Sequence, residues 1–293
     1  FSLGLVTAAG SLGLLFPPCL AVVLYSVVAN TPADQLFIGG LVPGTLLVAL
    51  VAIYCIHVSL KAGIERQPFK WRELLAAALI AKWDLSIPVV MIILFGTGLA
   101  SLLETSAFAC AYTIVIACFI HRDLHPLNQL PGTLVKAAAL VGAIFMLLSC
   151  AMGLTGYLVD AQIPDRLLEI VRERIHSPFL FLLTLNAVLL VLGSVLEIFS
   201  AIIVLAPLVI PIGVAFGVHP VHLGVIFLAN LQVGFLFPPV GLNLLLSSSR
   251  LGKPMAQLYR DVTPFLLILG LGVLLITYIP ALSIGVLRLL GRI

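Results

Sequence analysis

The hexamer Gly234-Phe235-Leu236-Phe237-Pro238-Pro239 lies inside an apolar run from Val221 to Ser249. Each proline lacks a backbone N–H and clashes with the carbonyl four residues back, so a helix through this run breaks there. The break is expected to free the carbonyls of Gly234 and Phe235. In lipid such groups persist only where protein or a polar cavity surrounds them. The same G-x-L-F-P-P pattern occurs as Gly13-Leu14-Leu15-Phe16-Pro17-Pro18, 221 residues earlier and again inside an apolar segment. Two broken apolar helices at corresponding places are the sequence sign of an internal repeat in a secondary transporter.

Composition narrows the class. Of 293 residues 62% are hydrophobic and only 9% charged, which excludes a soluble domain and predicts an all-α polytopic membrane protein. The apolar runs are continuous rather than alternating, so a barrel is excluded. The net charge of +3 is small and sits in loops, which suggests no nucleic-acid partner. Cys19, Cys55, Cys110, Cys118 and Cys150 lie in apolar segments without C-x-x-C spacing and read as small buried hydrophobes. His219 and His222 flank Pro220 in a short loop and read as an interfacial turn rather than a metal site. No H-E-x-x-H, no G-x-S-x-G and no paired membrane aspartates occur, which argues against an intramembrane enzyme. The chain opens on Phe1 in an apolar segment without a charged leader, so it does not read as a signal peptide. Only 12 residues precede the first hexamer, whereas a long hairpin precedes the second; an N-terminally truncated chain is the expectation.

In chain order, residues 1–29 read as the first discontinuous helix, one half ending near Leu15 and the other starting at Pro18. Leu36 to Val58 is a full span. Ser59 to Asp84 is the longest polar stretch; Trp71, Leu74, Leu75, Ala78 and Leu79 recur in it at helical spacing, which predicts an amphipathic helix on the membrane surface. Leu85 to Ile120 is too long for one simple span, and two short legs turning around Gly98–Glu104 are expected, with Glu104 beginning the second leg. Ala137 to Val159 is a span. Asp160 to Ser177 is amphipathic, with Pro164 at its helix start. Phe179 to Phe216 has one polar interruption, Gly193-Ser194-Val195-Leu196-Glu197. Two legs meeting at a mid-membrane tip, a re-entrant hairpin, fit it better than a span with a buried charge. Val221 to Ser249 is the second broken helix, Arg250 to Thr263 a polar loop, and Pro264 to Val286 the last span. Placing residues 59–84, 121–136 and 250–263 in the cytoplasm puts 10 Lys/Arg there and 5 opposite. A single span over 85–120 gives the same split, so charge does not decide between one leg and two.

These residues together resemble the large membrane (permease) subunit of the tripartite ATP-independent periplasmic (TRAP) transporters. Ala8-Ala9-Gly10-Ser11-Leu12-Gly13 with Pro17-Pro18 is similar to that family's first broken helix. Leu36 to Gly44 is similar to the start of its next span, and Leu192-Gly193 through Glu197 to Ala201, with Pro207 and Pro211, to its second hairpin. Pro220 through Asn230 to Pro238-Pro239-Val240-Gly241-Leu242-Asn243 is the closest match, and Pro264-Phe265 through Pro280 to Ser283 is similar too. The resemblance implies an inverted-repeat, elevator-type transporter whose first repeat is incomplete here. Residues 1–29 and 178–250 would form the moving transport part, and 36–177 and 264–286 the scaffold. It implies a bacterial inner-membrane location, a small membrane subunit and a soluble periplasmic substrate-binding protein as partners, and Na⁺ as coupling ion, with no organic cofactor. The cargo would be a small organic anion such as a C4-dicarboxylate or sialic acid. A binding-protein-independent anion–sodium symporter of related fold, and an inactive fragment, are the alternatives. Three positions depart from the family's usual pattern: Phe237 stands for Thr, Cys19 for Ser, and Glu197-Ile198-Phe199 for Asp-Thr-Thr.

On this reading the carbonyls around Gly234 to Phe237, with Gly193, Ser194 and Asn243, form one Na⁺ cage, because hard cations prefer oxygen and a helix C-terminus carries partial negative charge. Gly10, Ser11 and Gly13 to Phe16 form half of another. The half-helices expected to start at Pro18 and Pro239 point positive ends at a carboxylate, so Pro18, Cys19, Pro239, Gly241 and Glu197 are the substrate-anion candidates. Each candidate has a plainer role open to it. The proline pairs can simply kink two bundle helices, Glu197 can cap a helix, and Ser11 and Ser194 can be helix-packing hydroxyls.

Overall fold

The computed structural model describes residues 1–17, 19–63, 70–96 and 99–291. It is all-helical over these residues and divides into two units, residues 1–60 with 150–293, and residues 61–149. Among the described residues five helices are long and apolar enough to cross a membrane, or up to seven if two bent pairs each count as one span. The chain is therefore a polytopic α-helical membrane protein.

In the larger unit α1 (Ser2–Ala9) passes through a tight 3-10 turn, Leu12–Leu15, into α2 (Leu20–Val28), and the two halves meet at 45°. The long helix α3 (Ala33–Lys61) follows. Its Gly40 and Gly44, one turn apart, receive the break: a Cβ on Gly40 would lie 2.9 Å from the Leu15 carbonyl oxygen, and one on Gly44 would lie 2.9 Å from the Phe16 ring. Small residues at a helix crossing let backbones approach in this way.

In the smaller unit α4 (Trp71–Ile80) bends by 77° into α5 (Lys82–Gly96), which pairs with α6 (Leu102–Val115), extended by a π-turn Ile116–Ile120. Trp71, Leu74, Leu75 and Leu79 are all exposed on α4. The expected pair of legs in 85–120 is α5 and α6; Thr97 and Gly98 of the intervening turn lie outside the described residues. Ser101 and Glu104 form a reciprocal capping box that starts α6. Helix α7 (Leu130–Asp160) then returns the chain to the larger unit.

There α8 (Ile163–Arg174) packs on α10 (Ile198–Ala215), which follows α9 (Pro178–Val195). At the centre stands α11 (Pro220–Gly234), buried from Val221 to Gly234. It has apolar residues on every face and no Asp, Glu, Lys or Arg, so it has no solvent face to offer and is stable only when surrounded. His219 accepts from Val221 N–H as its N-cap, with Pro220 at the first helical position. Burial and the nearby Arg288 charge hold the His219 imidazole below its usual range, in keeping with a neutral ring that accepts at Nδ1. Helix α12 (Leu242–Leu251) ends on Gly252, in the left-handed conformation glycine favours there.

Several expectations are corrected. The last span is α13 (Met255–Tyr278), and 255–263 is its first two turns rather than a polar loop. Leu258, Val262, Phe265 and Leu269 recur at helical spacing and are buried, while Tyr259, Arg260 and Asp261 dilute the stretch. Pro280, which donates no backbone hydrogen bond, separates α13 from α14 (Ala281–Leu289), so the helix does not run on to Val286. Of the cysteines only Cys118 is buried; Cys110 and Cys150 are exposed, and Cys19 and Cys55 are half-buried. His222 belongs to α11 rather than to a loop. Its ring is buried between Ser283 Oγ at 2.6 Å and the Thr277 carbonyl at 3.2 Å.

Candidate cation and anion site

The second break begins where α11 ends. Leu236 N–H donates to the Val233 carbonyl and Phe237 N–H to the Gly234 carbonyl, both at 2.9 Å, closing two tight turns before the prolines. Asn243 N–H donates to the Phe235 carbonyl at 3.3 Å. The carbonyls of Gly234 and Phe235 are thus engaged, not freed as the proline argument alone implied: residues past the break fold back onto them. Each retains a second lone pair. Helix α12 starts at Leu242, three residues after Pro239, and α2 at Leu20, so the positive helix ends lie further along the chain than the proline pairs.

The tip between α9 and α10 is stitched to this break. Gly241 N–H donates to the Ser194 carbonyl at 3.0 Å. Gly193 and Gly234 cross backbone to backbone: a Cβ on Gly234 would lie 2.9 Å from Gly193 Cα and carbonyl carbon. The C-terminal ends of α9 and α11 therefore meet, and each carries a partial negative charge of about half a unit. Gly241 sits over the break at φ 48°, where a Cβ would lie 2.8 Å from the Phe235 oxygen and 3.1 Å from the Phe237 oxygen. Carbonyl oxygens turned toward one point beside two negative helix ends are suited to a hard cation.

The first break touches the second. Asn243 Nδ2 reaches the Thr7 carbonyl at 3.5 Å, a Cβ on Gly10 would lie 3.8 Å from the same nitrogen, and Thr7 Oγ1 donates to Ser247 Oγ at 2.9 Å. Ser11 is buried, and its hydroxyl donates to the Ala8 carbonyl at 3.0 Å. Phe16 N–H donates to the Gly13 carbonyl at 3.1 Å.

The structure thus gathers Gly193, Ser194, Gly234, Gly241 and the Phe237 carbonyl in one place, with Asn243 linking them to the Thr7 carbonyl of the first helix, near Gly10. Ser11, Gly13 and Phe16 stay with the first break. Glu197 has a local partner set: its carboxylate accepts from Phe199 N–H at 2.9 Å and Ser200 N–H at 3.2 Å as the N-cap of α10. That accounts for an acid at the tip without a ligand. Cys19 precedes α2 as its N-cap residue, without a side-chain capping bond. Pro239 is exposed, and its carbonyl accepts from the Tyr259 hydroxyl of α13. Pro18 lies outside the described residues.

A model of the tripartite ATP-independent periplasmic transporter, DctM component, matches residues 1–282. The chain belongs to the DctM family. It is similar to the C4-dicarboxylate TRAP transporter large permease protein DctM of Pseudomonas aeruginosa, with 35% identity over 99% of this chain and 68% of that protein. It is also similar to the isethionate TRAP transporter permease protein DctMQ of Oleidesulfovibrio alaskensis, 32% identical over 96% of this chain and 44% of that one. The sialic acid TRAP transporter permease protein SiaT of Haemophilus influenzae is 28% identical over 94% of this chain and 45% of its own length. These relatives are permease subunits of transporters, not enzymes. The chain is a TRAP large permease and spans about two thirds of the length of the Pseudomonas protein.

One polar cluster in this DctM-family permease escaped the sequence reading. Asn230 Nδ2, on α11, donates to Asn186 Oδ1 of α9, and Thr277 Oγ1 of α13 lies 3.1 Å from the same oxygen and 2.8 Å from the Val273 carbonyl, the two acceptors sharing its one proton. All three side chains are buried. The available signal was an amide inside a largely apolar helix, which in a membrane needs partners.

Proposed function

We propose that the chain is the membrane permease of a sodium-coupled importer of a small organic anion, a carboxylate handed over by a periplasmic binding protein. The observation that carries the reading is the meeting of the α9 and α11 C-termini at Gly193 and Gly234, with Gly241 bonded across them to Ser194. Two negative helix ends favour a cation at that point. The positive ends of α2 and α12 favour an anion, and no fixed membrane arginine is required.

The names of the relatives support the substrate class, since they include permeases for C4-dicarboxylate, isethionate and sialic acid. The family supports two partners, a small membrane subunit and a soluble periplasmic protein, and a location in the bacterial inner membrane. We assign the tip between α9 and α10 to a re-entrant hairpin. Together with the two broken helices it would move as an elevator against α3 and α13.

Uptake into proteoliposomes by the full-length permease with both partners tests this. An inward sodium gradient should drive accumulation of a carboxylate. Equal uptake with the gradient collapsed removes the coupling, and full uptake without the periplasmic protein favours a binding-protein-independent symporter. Phe237 is the position where the resemblance led to an expected hydroxyl. Phe237→Thr should lower the half-saturating sodium concentration roughly fivefold, the worth of about 1 kcal/mol for one added oxygen ligand. An unchanged sodium dependence would mean that backbone carbonyls suffice.

A further inference from the structure

His222, on α11, is 2% exposed, and no step of the sodium reading uses it. Its Nε2 faces the Thr277 carbonyl at 3.2 Å and its Nδ1 the Ser283 hydroxyl at 2.6 Å. A carbonyl only accepts, so Nε2 carries the proton when the ring is neutral. Thr277 stands in the last turn of α13, where carbonyls lack intrahelical donors, so this bond also caps that helix. Neutral Nδ1 is then an acceptor, and the Ser283 hydroxyl donates to it.

The same hydroxyl has a second acceptor within reach, the Pro280 carbonyl at 3.1 Å. That carbonyl already accepts from Ser283 N–H at 3.1 Å and Ile284 N–H at 2.9 Å, so it is satisfied with or without the hydroxyl. If Nδ1 gains a proton, it donates to Ser283 Oγ, and the hydroxyl proton turns to Pro280. Every ring nitrogen and the hydroxyl are then paired in both charge states, and one hydroxyl rotation separates them. A ring held only for packing needs one such arrangement; this one has two.

The charges around the ring leave room for the added proton. Along their lengths α9 and α10 carry no titratable side chain, with Glu197 at the tip between them; α2 carries Tyr25, with Cys19 before it. Helix α14 brings Arg288, and His219, the N-cap of α11, is held below its usual range as a neutral ring. Helix α3 lies against α11 and Ser283 through Leu36 and Gly39 and carries Asp34 in its first turn; Tyr54, Cys55, His57 and Lys61 are in its second half. Helix α13 adds Tyr278 next to Thr277, with Tyr259, Arg260 and Asp261 at its other end. Arg288 thus opposes a charged ring, and Asp34 and the negative C-terminal end of α13 favour it.

We propose that His222 is a proton-binding site: in acid its ring takes a proton at Nδ1, the Ser283 hydroxyl turns to the Pro280 carbonyl, and two charge-assisted bonds clamp α11 to α13 and α14. The proton comes from water and adds to the Nδ1 lone pair; otherwise only hydrogen bonds change. Pro280 and Ala281 are exposed, so a brief local opening of the short helix α14 admits it. Charge-assisted bonds are about twice as strong as neutral ones. With α11 moving against α13, as in the elevator reading above, the charged clamp slows the movement. That consequence rests on the elevator reading; the proton site does not.

Magic-angle-spinning NMR of the full-length permease and its partner subunit in nanodiscs, isotope-labelled at the histidine ring nitrogens, tests the site. The His222 ring should be the neutral Nε2–H tautomer at about pH 8.5 and doubly protonated at about pH 5. His222→Gln, whose amide keeps one donor and one acceptor but takes no proton, assigns the resonance. Ser283→Ala leaves the charged ring with an unpaired donor, so it should lower the titration midpoint by about one pH unit, and it marks the same resonance without the glutamine variant. In proteoliposomes at saturating sodium, the uptake rate of the parent relative to His222→Gln should fall about threefold from about pH 8 to about pH 5.5, with equal half-saturating sodium in the two. A ring that keeps one protonation state over this range, or a neutral ring with its proton on Nδ1, overturns the proton site. A parent-to-variant ratio that does not change with pH overturns the clamp. Uptake that ignores sodium in both proteins contradicts the sodium reading alone, and the ring spectrum still decides the proton site.

Discussion

Gly241→Ala is expected to reduce sodium-driven uptake more than tenfold while the protein still inserts and folds. Gly241 adopts φ 48° and ψ 103°, a conformation that side chains rarely tolerate. A Cβ would also lie 2.8 Å from the Phe235 oxygen and 3.1 Å from the Phe237 oxygen. The backbone strain alone is about 1–2 kcal/mol, and the methyl group must in addition push the two carbonyls apart. These are the oxygens assigned to the cation, and the same residue's N–H holds the Ser194 carbonyl. Gly252→Ala is the control. Gly252 has φ 61° at the end of α12, but its Cβ position meets nothing within 4 Å. It should lose roughly 1 kcal/mol of stability and keep its sodium dependence. Equal loss of initial uptake rate in the two variants would reduce Gly241 to a turn residue and contradict its place over the oxygens.

Gly234→Ala should destabilise the permease by about 1–3 kcal/mol, an overpacking cost. The glycine sits at the end of a helix, where alanine would ordinarily be the better residue by about 1 kcal/mol. The sign reverses because the added methyl meets only backbone: Gly193 Cα and carbonyl carbon at 2.9 Å and the Gly193 oxygen at 3.3 Å. No side chain can swing away, so α9 and α11 must separate. Gly193→Ala is the asymmetric partner. Its methyl meets the flexible end of Leu231 at 3.1 Å and Gly234 Cα at 3.4 Å, so Leu231 can yield. The unfolding midpoint of Gly234→Ala should fall clearly below that of Gly193→Ala. The reverse order would mean that the two helix ends do not meet as described.

The breaks were legible in the sequence because proline acts through a local mechanism that needs no tertiary context. The fate of the freed carbonyls was not. Gly234 and Phe235 receive donors from Phe237 and Asn243, and that depends on how the chain folds back after the prolines. The start of α13 was hidden for a similar reason: the buried set from Leu258 to Leu269 is periodic, but charged neighbours mask it in a running average. Glu197 carried two readings at the outset, ligand and helix cap, and its bonds to Phe199 and Ser200 N–H account for the cap. The Asn186–Asn230–Thr277 cluster was not assembled from the sequence, because its members are spread over three helices and only the fold pairs them.

Sodium binding to the full-length permease tests the central claim most directly. A ligand that binds only the folded state stabilises it by about 2.7 kcal/mol at a hundred times its dissociation constant. The unfolding midpoint should rise and saturate with NaCl, with choline chloride holding the ionic strength constant. The rise should be absent in Gly241→Ala and present in Gly252→Ala. A rise of the same size with KCl or choline chloride alone, or one that survives in Gly241→Ala, would contradict a sodium site where the C-terminal ends of α9 and α11 meet beneath Gly241.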